Sequence, residues 1–146
     1  GLLRNPGRLA ILDAGGNDAG ATVLASLAGA LKGKTPHMLQ VVNPFRPFTE
    51  TVDGCLKIKG EIEAAAKIKI NGIVGNANMM DETHVDQIYE GYEFVSEVAG
   101  AAGVDLKFVT CPVGLLSALD KDRIGCPVLP IERLLTFPWK RAASGN

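Results

Sequence analysis

The feature that most constrains this chain is the rhythm of its apolar runs. Short runs at residues 8–13, 38–42, 70–74 and 106–109 alternate with longer stretches whose apolar residues recur at helical spacing. A run of four to six apolar residues fits a strand buried on both faces, and the 3.6-residue repeat fits an amphipathic helix. Over residues 20–32 that repeat is Val23, Leu24, Leu27 and Leu31, and Gly33 and Pro36 stop it. Over 49–68 it is Cys55, Ile58, Ile62 and Ala65. Thr83, followed three residues later by Asp86, predicts a capping box, and Val85, Ile88, Tyr92, Val95 and Ala99 then mark about five turns. A short helix is expected at 115–120, a fifth strand at Val128–Ile131 and a last helical turn at 131–135. Repeated β-α-β units predict an α/β fold: a mostly parallel sheet of four to five strands with helices on both faces.

Open parallel sheets bind ligands at the carboxyl ends of their strands. Those ends here read Asp13-Ala14-Gly15-Gly16, Asn43-Pro44, Gly75-Asn76-Ala77-Asn78 and Thr110-Cys111-Pro112. Glycines and small polar residues therefore collect where a ligand would sit.

Composition narrows the class. The 146 residues, 47% hydrophobic and 21% charged, suit one domain with a real core. A single α/β domain is expected over residues 1–137, with a loose tail at 138–146. The net charge of −1 gives no electrostatic footprint for nucleic acid. No apolar run has the length of a membrane span, and no signal-peptide pattern opens the chain. Cys55, Cys111 and Cys126 are odd in number and far apart, so they make neither a disulfide framework nor a zinc pattern. Together these features read as a cytoplasmic protein.

Three stretches could meet a phosphate. Ala28-xxxx-Gly33-Lys34-Thr35 lies after a helix and before Pro36, the wrong context for a phosphate loop, and reads as a helix end. Gly15-xxxx-Gly20-Ala21-Thr22 has strand-then-helix context, but Ala21 stands where such a loop carries lysine and Asp18 lies inside it. Ile11-Leu12-Asp13-Ala14-Gly15-Gly16 can be an apolar strand delivering a magnesium-side aspartate, with glycines free to approach a γ-phosphate. It can equally be an aspartate capping the next helix and glycines turning the chain.

Taken in order, Leu12-Asp13-Ala-Gly-Gly-Asn-Asp-Ala-Gly-Ala21, Val41-Val42-Asn43-Pro44-Phe45-Arg46-Pro47-Phe48-Thr49 and Gly72-Ile73-Val74-Gly75-Asn76-Ala77-Asn78 resemble the ParA/MinD-like P-loop ATPases, the CobQ/CobB/MinD/ParA nucleotide-binding group. The resemblance runs from about Leu9 to Pro112. It covers the C-terminal portion of such a domain; the lysine-bearing Walker A half has no counterpart here. It implies ATP and Mg²⁺ as ligands held only together with that missing half, a parent protein that is an ATPase, and a protein partner or homodimer. It implies that Asp13 is the magnesium-side aspartate, acting through water, and that Gly15 and Gly16 belong to the switch. Asn76 or Asn78 would contact adenine, and the backbone of Thr110-Cys111-Pro112 would line the base pocket. Without the lysines, phosphate charge is poorly compensated, so hydrolysis by this chain alone is not expected. Two other classes stay open: a non-catalytic interaction module on an α/β scaffold, and part of an ATP-dependent amide ligase of the cobyrinic acid a,c-diamide synthase type.

Phe45-Arg46-Pro47-Phe48 reads either as a partner-contact patch or as an aromatic packed under a helix start. His37 and His84 read as surface residues, Cys111 as pocket lining, Tyr89 and Tyr92 as core, and Trp139 as cover for an apolar edge.

Overall fold

A computed structural model describes residues 11–15, 20, 23–26 and 36–134. Its core is a four-stranded, all-parallel sheet in the order β1 (Leu39–Val42), β2 (Gly72–Gly75), β3 (Asp105–Pro112), β4 (Val128–Ile131). Helix α1 (Val52–Ala66) connects β1 to β2, and α2 (Val85–Ala102) connects β2 to β3. The link from β3 to β4 holds only single 3₁₀ turns, Val113–Leu115 and Lys121–Arg123, instead of the helix expected at 115–120. The α/β class and the parallel sheet expected from the alternation are observed, but helices on both faces are not: among the described residues α1 and α2 share one face, because every strand steps to its neighbour in the same direction.

Each strand steps to its next neighbour in the same direction. Right-handed crossovers then carry successive helices to one face, and α1 and α2 do pack against each other. Toward them point Val42, Ile73, Val109 and Cys111, which join Cys55, Ile88, Val95, Val98 and Ala99 in one core cluster. The opposite face carries Val41 and Leu129, both about half exposed, and buried Val74. Gly75 is required where α2 crosses: a Cβ there would lie 2.8 Å from Val109 Cγ1 and 2.9 Å from Val95 Cγ2.

Local chemistry sets the helix ends. Thr51 caps α1, its hydroxyl accepting from Gly54 N–H at 3.1 Å. Lys67 closes the helix in the left-handed region, φ 54°, its N–H returning to Glu63 O. The expected Thr83–Asp86 box is not the one that forms. His84 is the N-cap of α2, and its N–H donates to Gln87 Oε1 at 2.8 Å. Thr83 is drawn away because its hydroxyl accepts from Met79 N–H (2.9 Å) and reaches Met80 O (2.9 Å), bracing the turn before the helix.

Three further expectations are corrected. Residues 11–13 of the first apolar run are not in the sheet: their backbone is irregular, and Ile11 is 84% exposed. Residues 8–10, and most of the helix expected at 20–32, lie outside the described residues, although 20 and 23–26 are helical. β3 does not stop at Val109 but runs to Pro112, because β4 pairs with Val109 through Pro112. Glu132–Leu134 form no helical turn. Among the described residues no helix is long and apolar enough to cross a membrane.

Candidate functional site at the carboxyl edge of the sheet

Past β1 and β2 the chain enters two loops that are tied together by asparagines. Asn43 Nδ2 donates to Asn78 O at 2.8 Å, and Asn43 Oδ1 accepts from Phe45 N–H at 3.0 Å. The Asn43 carbonyl accepts from Thr49 Oγ1 (2.7 Å) and Arg46 N–H (3.2 Å). One residue therefore fixes both loops, since its short amide can satisfy backbone groups on either side of it.

Asn76 continues the sheet by one rung, its N–H donating to Val42 O at 2.8 Å. Its Oδ1 accepts from Thr110 Oγ1 at 2.7 Å, and its Nδ2 has no partner among the described residues. Asn78 has a different job. Its Oδ1 accepts from Met80 N–H at 2.7 Å and lies 3.4 Å from Thr83 Oγ1, so it closes an Asx turn. Of the two asparagines, Asn76 is the one with a donor to spare.

The third strand completes the edge. Val109 N–H donates to Pro127 O, toward β4. Successive residues of a parallel strand alternate sides, so Cys111 also faces β4 and Thr110 faces the Asn76 side. The backbone groups of Cys111 are thereby committed to the ladder, and Pro112 has no N–H. The Thr110 hydroxyl, which sequence reasoning passed over, is the group that reaches Asn76. Cys111 is fully buried, its Sγ 3.4 Å from Pro112 O, and burial pushes the thiol pKa up despite Lys121. It is a buried core thiol whose environment favours the protonated form.

Two residues of these loops hold left-handed backbone without being glycine: Phe48 at φ 71° and Met80 at φ 61°. Such conformations cost roughly 1–2 kcal/mol each and persist where surrounding bonds enforce them. Phe48 is 78% exposed, while Phe45 is half-buried. An open depression of about 340 Å³ is lined by Pro44, Phe45, Arg46, Pro47 and Glu50. The two aromatics differ in exposure, Phe45 partly covered and Phe48 open to solvent.

Asp13 and Gly15 lie in the irregular segment ahead of the sheet, both exposed. The carbonyl of Gly15 abuts Gly20 so closely that a Cβ on Gly20 would collide with it. Gly16 lies outside the described residues, as does Gly33-Lys34-Thr35. His37 and His84 are exposed. Tyr89 and Tyr92 are packed by the core, and their hydroxyls accept from Asp120 N–H (2.8 Å) and Gly125 N–H (3.0 Å), pinning the β3–β4 link. Arg123 stacks over the Tyr89 ring at 3.7 Å.

Asn76 presents a carboxamide at this edge. A carboxamide presents donor and acceptor side by side, the complement of a purine edge such as adenine N6 and N7. Asn76 Nδ2 has no partner among the described residues, and its Oδ1 keeps a second lone pair after accepting from Thr110. For a divalent cation the donor set is thin. Among the described residues no three His, Cys, Asp or Glu side chains are grouped to hold a metal. Asp13, in the irregular segment ahead of the sheet, offers one carboxylate, enough for Mg²⁺ only where phosphate and water oxygens complete the shell. Set against known protein families, curated proteins and solved structures, the chain matches none of them.

Proposed function

We propose that this chain is the C-terminal part of a ParA/MinD-like, ATP-binding switch ATPase, and that the carboxyl edge of its sheet contacts the adenine. The observation that carries the reading is Asn76: it stands just past the end of β2, is oriented by Thr110, and has an Nδ2 donor with no partner among the described residues beside its carbonyl. The all-parallel sheet supports it, because such sheets place ligands at this edge. In this reading Asn76 reads the base edge, Asn43 holds the two loops at fixed spacing, and Thr110 fixes the rotamer of Asn76. Asp13 supplies a carboxylate oxygen to Mg²⁺ through water, with Gly15 and Gly16 as the adjoining switch. The nucleotide brings the phosphoanhydride that an ATPase would split; phosphate neutralisation falls to residues outside this edge.

Calorimetric titration with Mg-ATP and Mg-GTP tests the assignment. The expected result is weak binding at millimolar concentration with a preference for ATP, lost in Asn76→Ala and weakened in Asp13→Ala. Equal heats for ATP and GTP, or a preference that survives Asn76→Ala, would reject it.

One observation favours a second reading, an interaction module on an α/β scaffold. Phe48 is held outward at an unfavourable φ, as expected of an anchor for a protein partner. In that case Phe48→Ala abolishes partner binding and Asp13→Ala leaves it intact.

A further inference from the structure

The two flanking strands of the sheet differ in how they are guarded. β4 closes one side and carries Pro130, a residue that blunts a strand edge because it has no N–H to offer. β1 closes the other side with Leu39-Gln40-Val41-Val42: no charge, no proline and, in its pairing with β2, no bulge. Met38 O and Val42 O accept from the N–H groups of Asn71 and Asn76, at either end of β2. Backbone groups alternate along a parallel strand, so Gln40 also turns toward β2, while the N–H and C=O of Leu39 and Val41 point away from it. Among the described residues nothing pairs with those groups.

A second observation lies on the same strand. Gln40 is 5% exposed, and its Nε2 donates to Cys55 O at 3.1 Å. Its Oε1 is buried without a hydrogen-bond partner, the one such side-chain atom among the described residues. A buried acceptor left unmatched is costly, so a donor is wanted here. Nε2 keeps a second hydrogen. The Gln40 carboxamide therefore offers one donor and one acceptor, and is complementary to itself.

We propose that β1 is the contact between two copies of this chain, paired antiparallel about a two-fold axis at Gln40. In that register Leu39 of each copy exchanges both backbone hydrogen bonds with Val41 of the other. Gln40 faces Gln40 of the second copy as a non-hydrogen-bonded pair, the closer kind, with about 4.5 Å between Cα atoms. Each Oε1 then accepts the spare Nε2 hydrogen of the other amide. On the open sheet face Leu39 and Val41, 38% and 59% exposed, cover one another across the junction. Helix α1 buries only Cys55 and Ala66, against six residues in α2, so it has surface left for a neighbour. A second copy is the occupant these features select, because a two-fold axis makes an identical strand and an identical amide the complement. With four residues a side the contact is short, and micromolar dissociation is expected. None of this depends on the nucleotide reading.

Sedimentation velocity from low to high micromolar concentration should take the chain from 15.4 kDa to twice that mass. In hydrogen exchange resolved by residue, the Leu39 and Val41 amides should gain protection as the dimer fills. The Gln40 and Val42 amides, already turned to β2, should not change. Val41→Pro should give a folded monomer, since the N–H it removes is not used within the sheet. Val41→Lys keeps that N–H and sets a charge against Leu39 of the second copy, and makes the same test should the proline unfold the chain. Gln40→Met should raise the dimer dissociation constant about tenfold with circular dichroism unchanged. A single 15.4 kDa species at every concentration overturns the proposal. So does a dimer that the folded Val41 variants leave intact. Leu39 and Val41 amides protected at all concentrations would mean that the chain covers its own edge, and overturn it as well. A dissociation constant unmoved by Gln40→Met overturns it too, because the axis then lies elsewhere.

Discussion

β2 passes from one kind of structure into another within a single step. At Gly75 packing decides: Val95 and Val109 fill the space a Cβ would occupy, and no side chain fits. At Asn76 everything is hydrogen bonding: its N–H goes to Val42, its Oδ1 to Thr110, and its Nδ2 to nothing among the described residues. The helix-covered face is apolar and closed, whereas the edge is polar, is held by Asn43, Asn78 and Thr83, and exposes Phe48, Met79 and Met80. The packed face determines where the edge is; the asparagines determine what the edge can do. Substitutions on the two sides should therefore separate stability from edge geometry.

The largest effect belongs to the packed side. Ile73 is fully buried in the middle of the sheet among Val42, Val95 and Val109. Ile73→Ala should lower the unfolding free energy by about 3–4 kcal/mol, the transfer loss plus the cavity left behind. Urea denaturation measures it. A loss below about 1 kcal/mol would mean that the face is not a closed core.

On the edge, Asn43→Ala removes the link to Asn78 and uncovers the Phe45 N–H. A cost of about 1–2 kcal/mol is expected, since the freed groups remain partly reachable by water. The sharper readout is selective: amide exchange should speed up across residues 44–50 and 78–83 while Ile73, Val95 and Val109 stay protected. Uniform loss of protection would erase the distinction between face and edge.

The alternation of apolar runs was enough to reveal β1, α1, β2, α2 and β4, because periodicity reflects burial and burial is what builds these elements. Residues 11–13 show where that logic stops. Ile11-Leu12 is as apolar as Val41-Val42, yet it lies outside the sheet, since a run states that it can be buried and not what it pairs with. β3 extends to Pro112 for the same reason: pairing with β4 is tertiary, and nothing local to Thr110 announces it. At the edge, the asparagines were visible as polar residues at strand ends, but their roles were not. Asn76 and Asn78 look alike in sequence; only the fold gives one to Thr110 and the other to Met80. Asn43 was legible only as a polar residue at a strand end, because its partner Asn78 is distant in sequence.

The amino-terminal edge extends the comparison through pH. Glu63 accepts from Lys59 Nζ (2.7 Å), Lys69 Nζ (2.9 Å) and the Ile70 N–H (2.8 Å), so it joins the end of α1 to the approach to β2. Burial works to raise its pKa, but these bonds and the Lys59 charge outweigh it and hold the carboxyl down at about 2, below its ordinary 4.5. A folded pKa below the unfolded one gives stability that is complete above the unfolded value and lost as pH falls toward the folded one. With Lys69 solvent-screened, the contribution is about 1–2 kcal/mol. Glu63→Gln should therefore be less stable than the parent above about pH 5, and the gap should close as pH falls through the window from 4.5 to 2. A gap that is constant with pH would show that the site works through hydrogen bonds alone.

The smallest effect has the opposite sign and bears most directly on function. Phe48 is exposed at φ 71°, so its ring contributes little packing while its backbone carries the left-handed penalty. Phe48→Gly keeps the Arg46–Thr49 turn, because Thr49 N–H still finds Arg46 O. It should stabilise the chain by about 0.5–1 kcal/mol, the strain relieved less the extra freedom glycine gains when unfolded. Phe48→Ala, which removes the ring and keeps a Cβ, should leave stability nearly unchanged, and the pair together isolates backbone strain from side-chain contact. If Phe48→Gly instead destabilises by more than about 1 kcal/mol, the ring is part of the packed side of the molecule. The edge would then hold one more structural residue and one fewer candidate for binding.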